Sequence, residues 1–167
     1  MKVLKYIVLV IACATALTVS AQSKADKKVA QQTAIKAMVD NQRFDFVAQY
    51  VTPQGGGRRY LTSTYDLKVR KDSVIAYLPY FGQAYFDVPY NPTDGGIKFT
   101  STKFSYKVTP KKKGGWDVLI EPADSRYYQK LYFSISPNGN ASLSMNITNR
   151  SFISFDGYVE APEKRKD

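Results

Sequence analysis

Between about residues 23 and 42 the apolar side chains recur at helical spacing, and beyond it they alternate with polar ones nearly to the end of the chain. The first pattern predicts a helix from Ser23 to about Gln42. Ile35, Met38 and Val39 form one apolar face, with Gln42 as its polar continuation. The half of this helix around Ala25 and Val29 is rich in Lys and Gln, so the packed face is expected to begin near Ala34.

The alternating pattern predicts strands. Phe44, Phe46 and Ala48 lead a first strand to Val51, ended by Thr52-Pro53-Gln54 and three glycines. Leu67 and Val69 alternate with Lys68 and Arg70, and after a turn at Lys71-Asp72 the partner strand runs from Val74 to Leu78. Pro79 to Gly96 reads as irregular. Strand character returns at Ile97 to Phe99 and at Phe104, Tyr106 and Val108, and a charged turn, Lys111 to Gly115, leads into Trp116, Val118 and Ile120. Leu131, Phe133 and Ile135 run into Pro137-Asn138-Gly139, where Asn-Gly suits the positive φ of a tight hairpin. Ala141, Leu143, Met145 and Ile147 alternate with Ser142, Ser144, Asn146 and Thr148, giving one buried and one wet face. Ile153 and Phe155 form the last strand. One helix and about eight antiparallel strands predict an α+β fold with the N-terminal helix packed on a meandering sheet, the alternative being a mostly-β barrel or sandwich. The expected organisation is a signal peptide over 1–21, a basic helix over 22–42, a β domain over 43–160 and a charged tail over 161–167.

The leader rests on its own pattern. Lys2 and Lys5 precede an apolar run from Tyr6 to about Leu17, and Val19-Ser20-Ala21 offers small residues for cleavage before Gln22. The run is shorter than the roughly 20 apolar residues of a membrane span. A competing reading takes Val10-Ile11-Ala12-Cys13 as a lipobox with Cys13 acylated. The apolar residues beyond it, Ala14, Ala16, Leu17 and Val19, favour the soluble export signal. Cleavage at Gln22 would remove Cys13, the only cysteine, and the chain has no histidine. Metal binding through thiolate or imidazole and Ser-His-Asp catalysis are then excluded by composition. The acids that remain, such as Asp87, Asp94 and Asp124, are scattered rather than gathered in a Ca²⁺ loop. No metal, no cofactor and no catalytic residue is expected.

Without Lys2 and Lys5, 22 of the 24 Lys and Arg face 14 Asp and Glu, a net +8. A basic surface favours anionic partners, and for an exported protein these are an anionic glycan or an envelope protein rather than nucleic acid. Six aromatics crowd the irregular segment, Tyr77, Tyr80, Phe81, Tyr85, Phe86 and Tyr90. Rings on such a segment either cap the core or stack on a sugar or protein partner. Tyr80, Phe81, Tyr85 and Tyr90 are taken as binding residues, joined by Arg58 and Arg59 after the glycines. Gly55-Gly56-Gly57-Arg58-Arg59 lacks the Gly-Lys-Ser/Thr ending of a nucleotide loop. Asp72-Ser73-Val74 matches a short O-glycosylation acceptor pattern, which makes Ser73 a candidate modification site.

Tyr65-Asp66-Leu67-Lys68-Val69, Asp72-Ser73-Val74, Tyr77-Leu78-Pro79-Tyr80-Phe81-Gly82 and Gly95-Gly96-Ile97-Lys98-Phe99, with Leu143-Ser144-Met145-Asn146 and the aromatic close around Tyr158, resemble the domain of unknown function 4251 family. These are exported proteins of Bacteroides-type bacteria. The resemblance implies a periplasmic or envelope location and brings no activity, substrate or site residues. The expected function is a non-enzymatic exported domain that binds an envelope component. A carrier of a small hydrophobic ligand in a barrel cavity is the alternative, and an enzyme of unrecognised type comes third.

Overall fold

The computed structural model describes residues 26–83 and 95–163. Residues 26–40 form a helix, α1, and nine strands follow among the described residues: β1 (Phe44–Pro53), β2 (Arg59–Val69), β3 (Val74–Leu78), β4 (Ile97–Ser101), β5 (Phe104–Pro110), β6 (Trp116–Pro122), β7 (Tyr128–Ile135), β8 (Asn140–Ile147) and β9 (Ile153–Glu160). Among the described residues no helix is long and apolar enough to cross a membrane.

The helix stops two residues short of the expected end for a local reason. Gln42 has φ of 53°, the Arg43 N–H donates to the Met38 carbonyl at 3.0 Å, and the Gln42 N–H donates to Val39 at 3.2 Å. This is a Schellman end with Gln42 in the left-handed position, so Gln42 terminates the apolar face rather than continuing it. Ile35 and Val39 are buried as the spacing required, and Met38 packs against the same core.

All strand pairs are antiparallel, in the order β4-β3-β2-β1-β9-β8-β7-β6-β5. The meander turns back on itself because β9 pairs with β1, joining the two ends of the β region. Following the alternation of directions around this order, β4 and β5 run the same way. They are joined through Thr102 and Lys103 alone, so they act as one bent strand whose first half pairs with β3 and whose second half pairs with β6. The result is an α+β fold whose sheet is a nearly closed barrel, with a strand that switches partners at a corner.

Asp124 fixes that corner. Its carboxylate accepts hydrogen bonds from the Ser101 hydroxyl at 2.5 Å, the Thr102 N–H at 2.8 Å and the Lys103 N–H at 3.1 Å. The Ser101 bond, then the backbone donors, hold its pKa down from 3.8 to about 2. Near the corner, Phe99 of β4 stacks on Tyr128 of β7 at 4.2 Å, and the Tyr106 hydroxyl of β5 donates to the Val39 carbonyl of α1 at 2.8 Å. Burial, with the Asp40 charge adding to it, pushes the Tyr106 pKa far up, which keeps this hydroxyl a donor.

The interior is lined by buried side chains from α1 and from β1–β4 and β6–β9, with Phe104, Tyr106 and Val108 of β5 packed against them. Phe44 and Phe46 meet the Phe133 ring edge-on at 5.8 and 5.5 Å, and Phe155, Leu67, Leu78, Ile120 and Leu143 are fully buried around them. β2 is longer than the pattern indicated and begins at Arg59, because Arg59 and Tyr60 pair with Val51 and Tyr50 and the residues that follow, such as Thr62, Ser63 and Thr64, are exposed and carry no apolar alternation.

Candidate functional site: a polar groove on the barrel wall

Neighbouring residues on an extended chain point to opposite sides. This separates Arg58 from Arg59, which the sequence grouped together. The Arg59 guanidinium lies 5.7 Å from the ring centre of Phe81, whereas Arg58 stacks 3.8 Å from the ring centre of Tyr50 and pairs through Nε with Asp156 at 3.1 Å.

The other expected site residues fall in different environments. Phe81 is 46% exposed. Tyr80 differs from the expectation of a ligand-facing ring, because it packs against the core and its hydroxyl is engaged. That hydroxyl donates to the carbonyls of Gln83 at 2.9 Å and Ser151 at 3.0 Å, while Arg150 lies 4.8 Å from its ring centre. Tyr80 therefore anchors the chain beyond β3 to the β8–β9 connection. Tyr85 and Tyr90 lie outside the described residues. Ser73 sits in the β2–β3 turn, half-buried, with its hydroxyl donating to Asp72 at 2.9 Å and its carbonyl accepting from the Arg70 N–H. Tyr77, which the sequence placed in the aromatic cluster, is 49% exposed on the outer face of β3, stacked on Tyr65 at 5.7 Å with the Lys98 ammonium 5.4 Å from its ring centre.

A second feature lies on the outside of β1, β9, β8 and β7, a groove of about 760 Å³. Four of its lining residues, Tyr50, Asp156, Ser142 and Ser134, belong to a row of outward positions in register that runs on beyond the lining to Tyr60 and Asp117. Tyr60 of β2 pairs with Tyr50, Tyr50 with Asp156, Asp156 with Ser142, Ser142 with Ser134, and Ser134 with Asp117 of β6. Each strand points its neighbouring residues into the core, as Phe155, Leu143 and Phe133 show, so the row is the wet side of an otherwise ordinary alternation.

The groove owes its depth to an irregularity. The register slips between Ala48 and Tyr50 on both sides of β1: against β9 Gln49 is the extra residue of a β-bulge that bends β1, and against β2 the surplus lies on β2, where residues 61–64 fall opposite Gln49. Gly157 makes that bend possible, since a side chain there would run into the Val47 carbonyl oxygen. One wall is raised by the β7–β8 turn at Asn138 and Gly139. That turn rests on α1, because the Gln31 amide donates to the Asn138 carbonyl at 2.9 Å and Gly139 lies against Ile35.

The charges of the groove are matched. Arg58 is held by Asp156, and Lys111 donates to the Ser134 hydroxyl at 2.6 Å while lying 3.4 Å from Asp117. The Asp117 carboxylate beside it raises the Tyr132 pKa. Among the described residues neither the Ser142 hydroxyl nor Oδ1 of Asp156 has a protein hydrogen-bond partner. Of the lining residues sequence reading picked out Arg58 alone, because the others are brought together only by the pairing of β1 with β9 and of β9 with β8 and β7. For these the visible signal was the run Ser142, Ser144, Asn146 on the wet face of β8.

Comparison with known proteins adds the family and the fold. No curated protein matches the chain. The crystal structure of a DUF4251 family protein from Bacteroides eggerthii is similar to it with a TM-score of 0.58 and 18% identity, over 79% of this chain and 88% of that one. At this identity the likeness speaks for the shared fold. The sequence profile of the domain of unknown function DUF4251 matches residues 26–159, which takes in α1 and the nine described strands up to the penultimate residue of β9. With four-fifths of its length under that profile, the chain belongs to the DUF4251 family.

Proposed function

We propose that this chain is an exported, non-enzymatic domain that binds a component of the cell envelope on the outside of its barrel. The observation that carries this reading is Arg58, an exposed cation fixed between the Tyr50 ring and Asp156 at the rim of a groove lined by side-chain hydroxyls and amides. Such a set recognises polar ligands through oriented hydrogen bonds and a ring face. Export itself is supported by the leader pattern before Gln22. The interior is filled by Phe44, Phe46, Phe133 and Phe155, which favours a ligand outside the sheet over a hydrophobic molecule carried inside it.

A protein partner is the second reading. It is favoured by the exposed Tyr77 and Phe81 rings, each beside a cation, and by the exposed Ile75 on the same outer face as Tyr77.

The test is co-sedimentation of the processed protein with envelope fractions of the producing cells, left intact, protease-treated or periodate-oxidised. Binding lost on oxidation identifies a glycan, and binding lost on proteolysis identifies a protein. Absence of binding to intact envelope overturns the proposal. The intact mass of native protein should start at Gln22, and a diacylated chain starting at Cys13 would replace the soluble reading by a lipid anchor.

A further inference from the structure

The groove can be read more finely, resting on the proposal that the outside of the barrel binds an envelope component. We infer that it binds an uncharged oligosaccharide laid across the strands, over Tyr50, Asp156, Ser142 and Ser134, with Tyr60 as an aromatic platform at one end.

Charge is the first argument. The chain as a whole is basic, yet the cation that lines the groove, Arg58, is already matched by Asp156, and Lys111, bonded to the lining Ser134, is matched by Asp117. An anionic ligand would have to displace a carboxylate from its cation or lie against it, and either cost cancels the gain from the arginine. A neutral polyol leaves both pairs in place.

Hydrogen-bond chemistry is the second. Sugar hydroxyls are donors and acceptors at once, and so are the Ser134, Ser136 and Ser142 hydroxyls and the Asn138 and Asn140 amides that line the groove. Oδ1 of Asp156, a carboxylate oxygen with no partner among the described residues, suits a pair of neighbouring sugar hydroxyls, and the Ser142 hydroxyl, likewise without a partner among the described residues, stands beside it on the next strand. The lining is poor in the large apolar side chains that centre a protein interface, which argues against a polypeptide on this wall.

Shape is the third. The row from Tyr60 to Asp117 crosses five strand spacings of about 4.8 Å, roughly 24 Å of wall, enough for several sugar rings end to end. At one end Tyr60 is 65% exposed, held edge-on by Tyr50 at 5.3 Å, so a face of its ring is free to receive the C–H face of a sugar. Tyr132, also exposed, flanks the row at the other end.

The experiment is an amide chemical-shift titration of the processed protein with neutral hexasaccharides of glucose, mannose, xylose and N-acetylglucosamine, and with a heparin octasaccharide as the anionic probe. The expected result is that at least one neutral hexasaccharide shifts the amides of Tyr50, Ser134, Ser142 and Asp156, with an affinity insensitive to salt. Asp156→Ala and Tyr60→Ala, both at exposed positions that leave the fold intact, should each weaken it about tenfold. Salt-sensitive binding of heparin alone, shifts confined to the surroundings of Phe81 and Arg59, or no shift with any probe would each overturn the inference. If envelope co-sedimentation persists in any of those cases, binding of the envelope stands and only the neutral-glycan reading falls. Loss of both removes both.

Discussion

Two stretches of the same barrel wall are built on the same interior and dressed differently. Across β1, β9, β8 and β7 the outward positions are Ser, Asn, Asp and Tyr, the cations are paired, and the surface is concave where the bulge bends β1. Across β2, β3 and β4 the outward positions include Ile75 and Tyr77 with Lys68 and Lys98, and Phe81 with Arg59 lies beyond β3. The inward residues do not distinguish the two, since Leu67 and Val74 are buried as completely as Leu143 and Phe155. Stability is thus common property, and whatever the two walls bind is decided by the alternate residues, which the fold leaves free to vary.

The largest effect should come from the shared interior. Phe133→Ala removes the ring against which Phe44 and Phe46 pack and should cost about 3–5 kcal/mol. Chemical denaturation would measure it, and both walls should lose their ligands together. A loss near zero would mean that the aromatic cluster is not the centre of the fold.

Gly157→Ala separates the walls. The added methyl meets the backbone of β1 at the bulge, so the variant should lose about 1–3 kcal/mol and the groove should flatten. Amide shifts should change along β1, β9 and β8 and stay put along β3 and β4. Equal changes on both sides would show that the bulge is not a local device.

Arg58→Ala tests the paired charges. Arg58 and Asp156 are both well exposed, so the melting midpoint should move by the equivalent of no more than about 1 kcal/mol. The outward ring of Tyr50 loses its cover, and ligand binding in the groove should respond far more than stability does. A purely structural arginine would show the reverse ratio.

The smallest effect is expected in acid. The pKa of Asp124 is depressed in the folded protein, to about 2 from an ordinary 3.8, so the unfolded chain takes up its proton first as pH falls. Its contribution is complete above about pH 4 and disappears as pH falls through about 2. Asp124→Asn should remove that part of the acid dependence measured by thermal melts between these limits. An unchanged profile would mean that the corner between β4 and β5 does not depend on the carboxylate charge.

Much of the fold was legible in the alternation. Val74 to Leu78 and the β8 pattern stand where their apolar residues placed them, because one face of each strand must be buried. The Asn138-Gly139 turn followed from the need for positive φ, and Gly139 has φ of 87°. The first half of β2 was not legible, since exposed Thr and Ser residues carry no burial signal. The candidate site was still less so. Arg58 and Arg59 looked like one basic pair until the backbone sent them to separate surfaces, and Tyr80 looked like a ligand-facing ring until Ser151 engaged its hydroxyl.

The sequence by itself determined the helix face of Ile35 and Val39, the strands with strict alternation, the family and the matched inventory of side chains without imidazole. Only the tertiary structure decided that β9 closes on β1, that β4 and β5 are one strand bent at Asp124, and that Tyr50, Asp156, Ser142 and Ser134 share one row. The reason is that alternation fixes which side of a strand meets the core, whereas strand order and register depend on the bulge at Gln49 and on how all the strands fill a single interior, and neither is a property of any one segment.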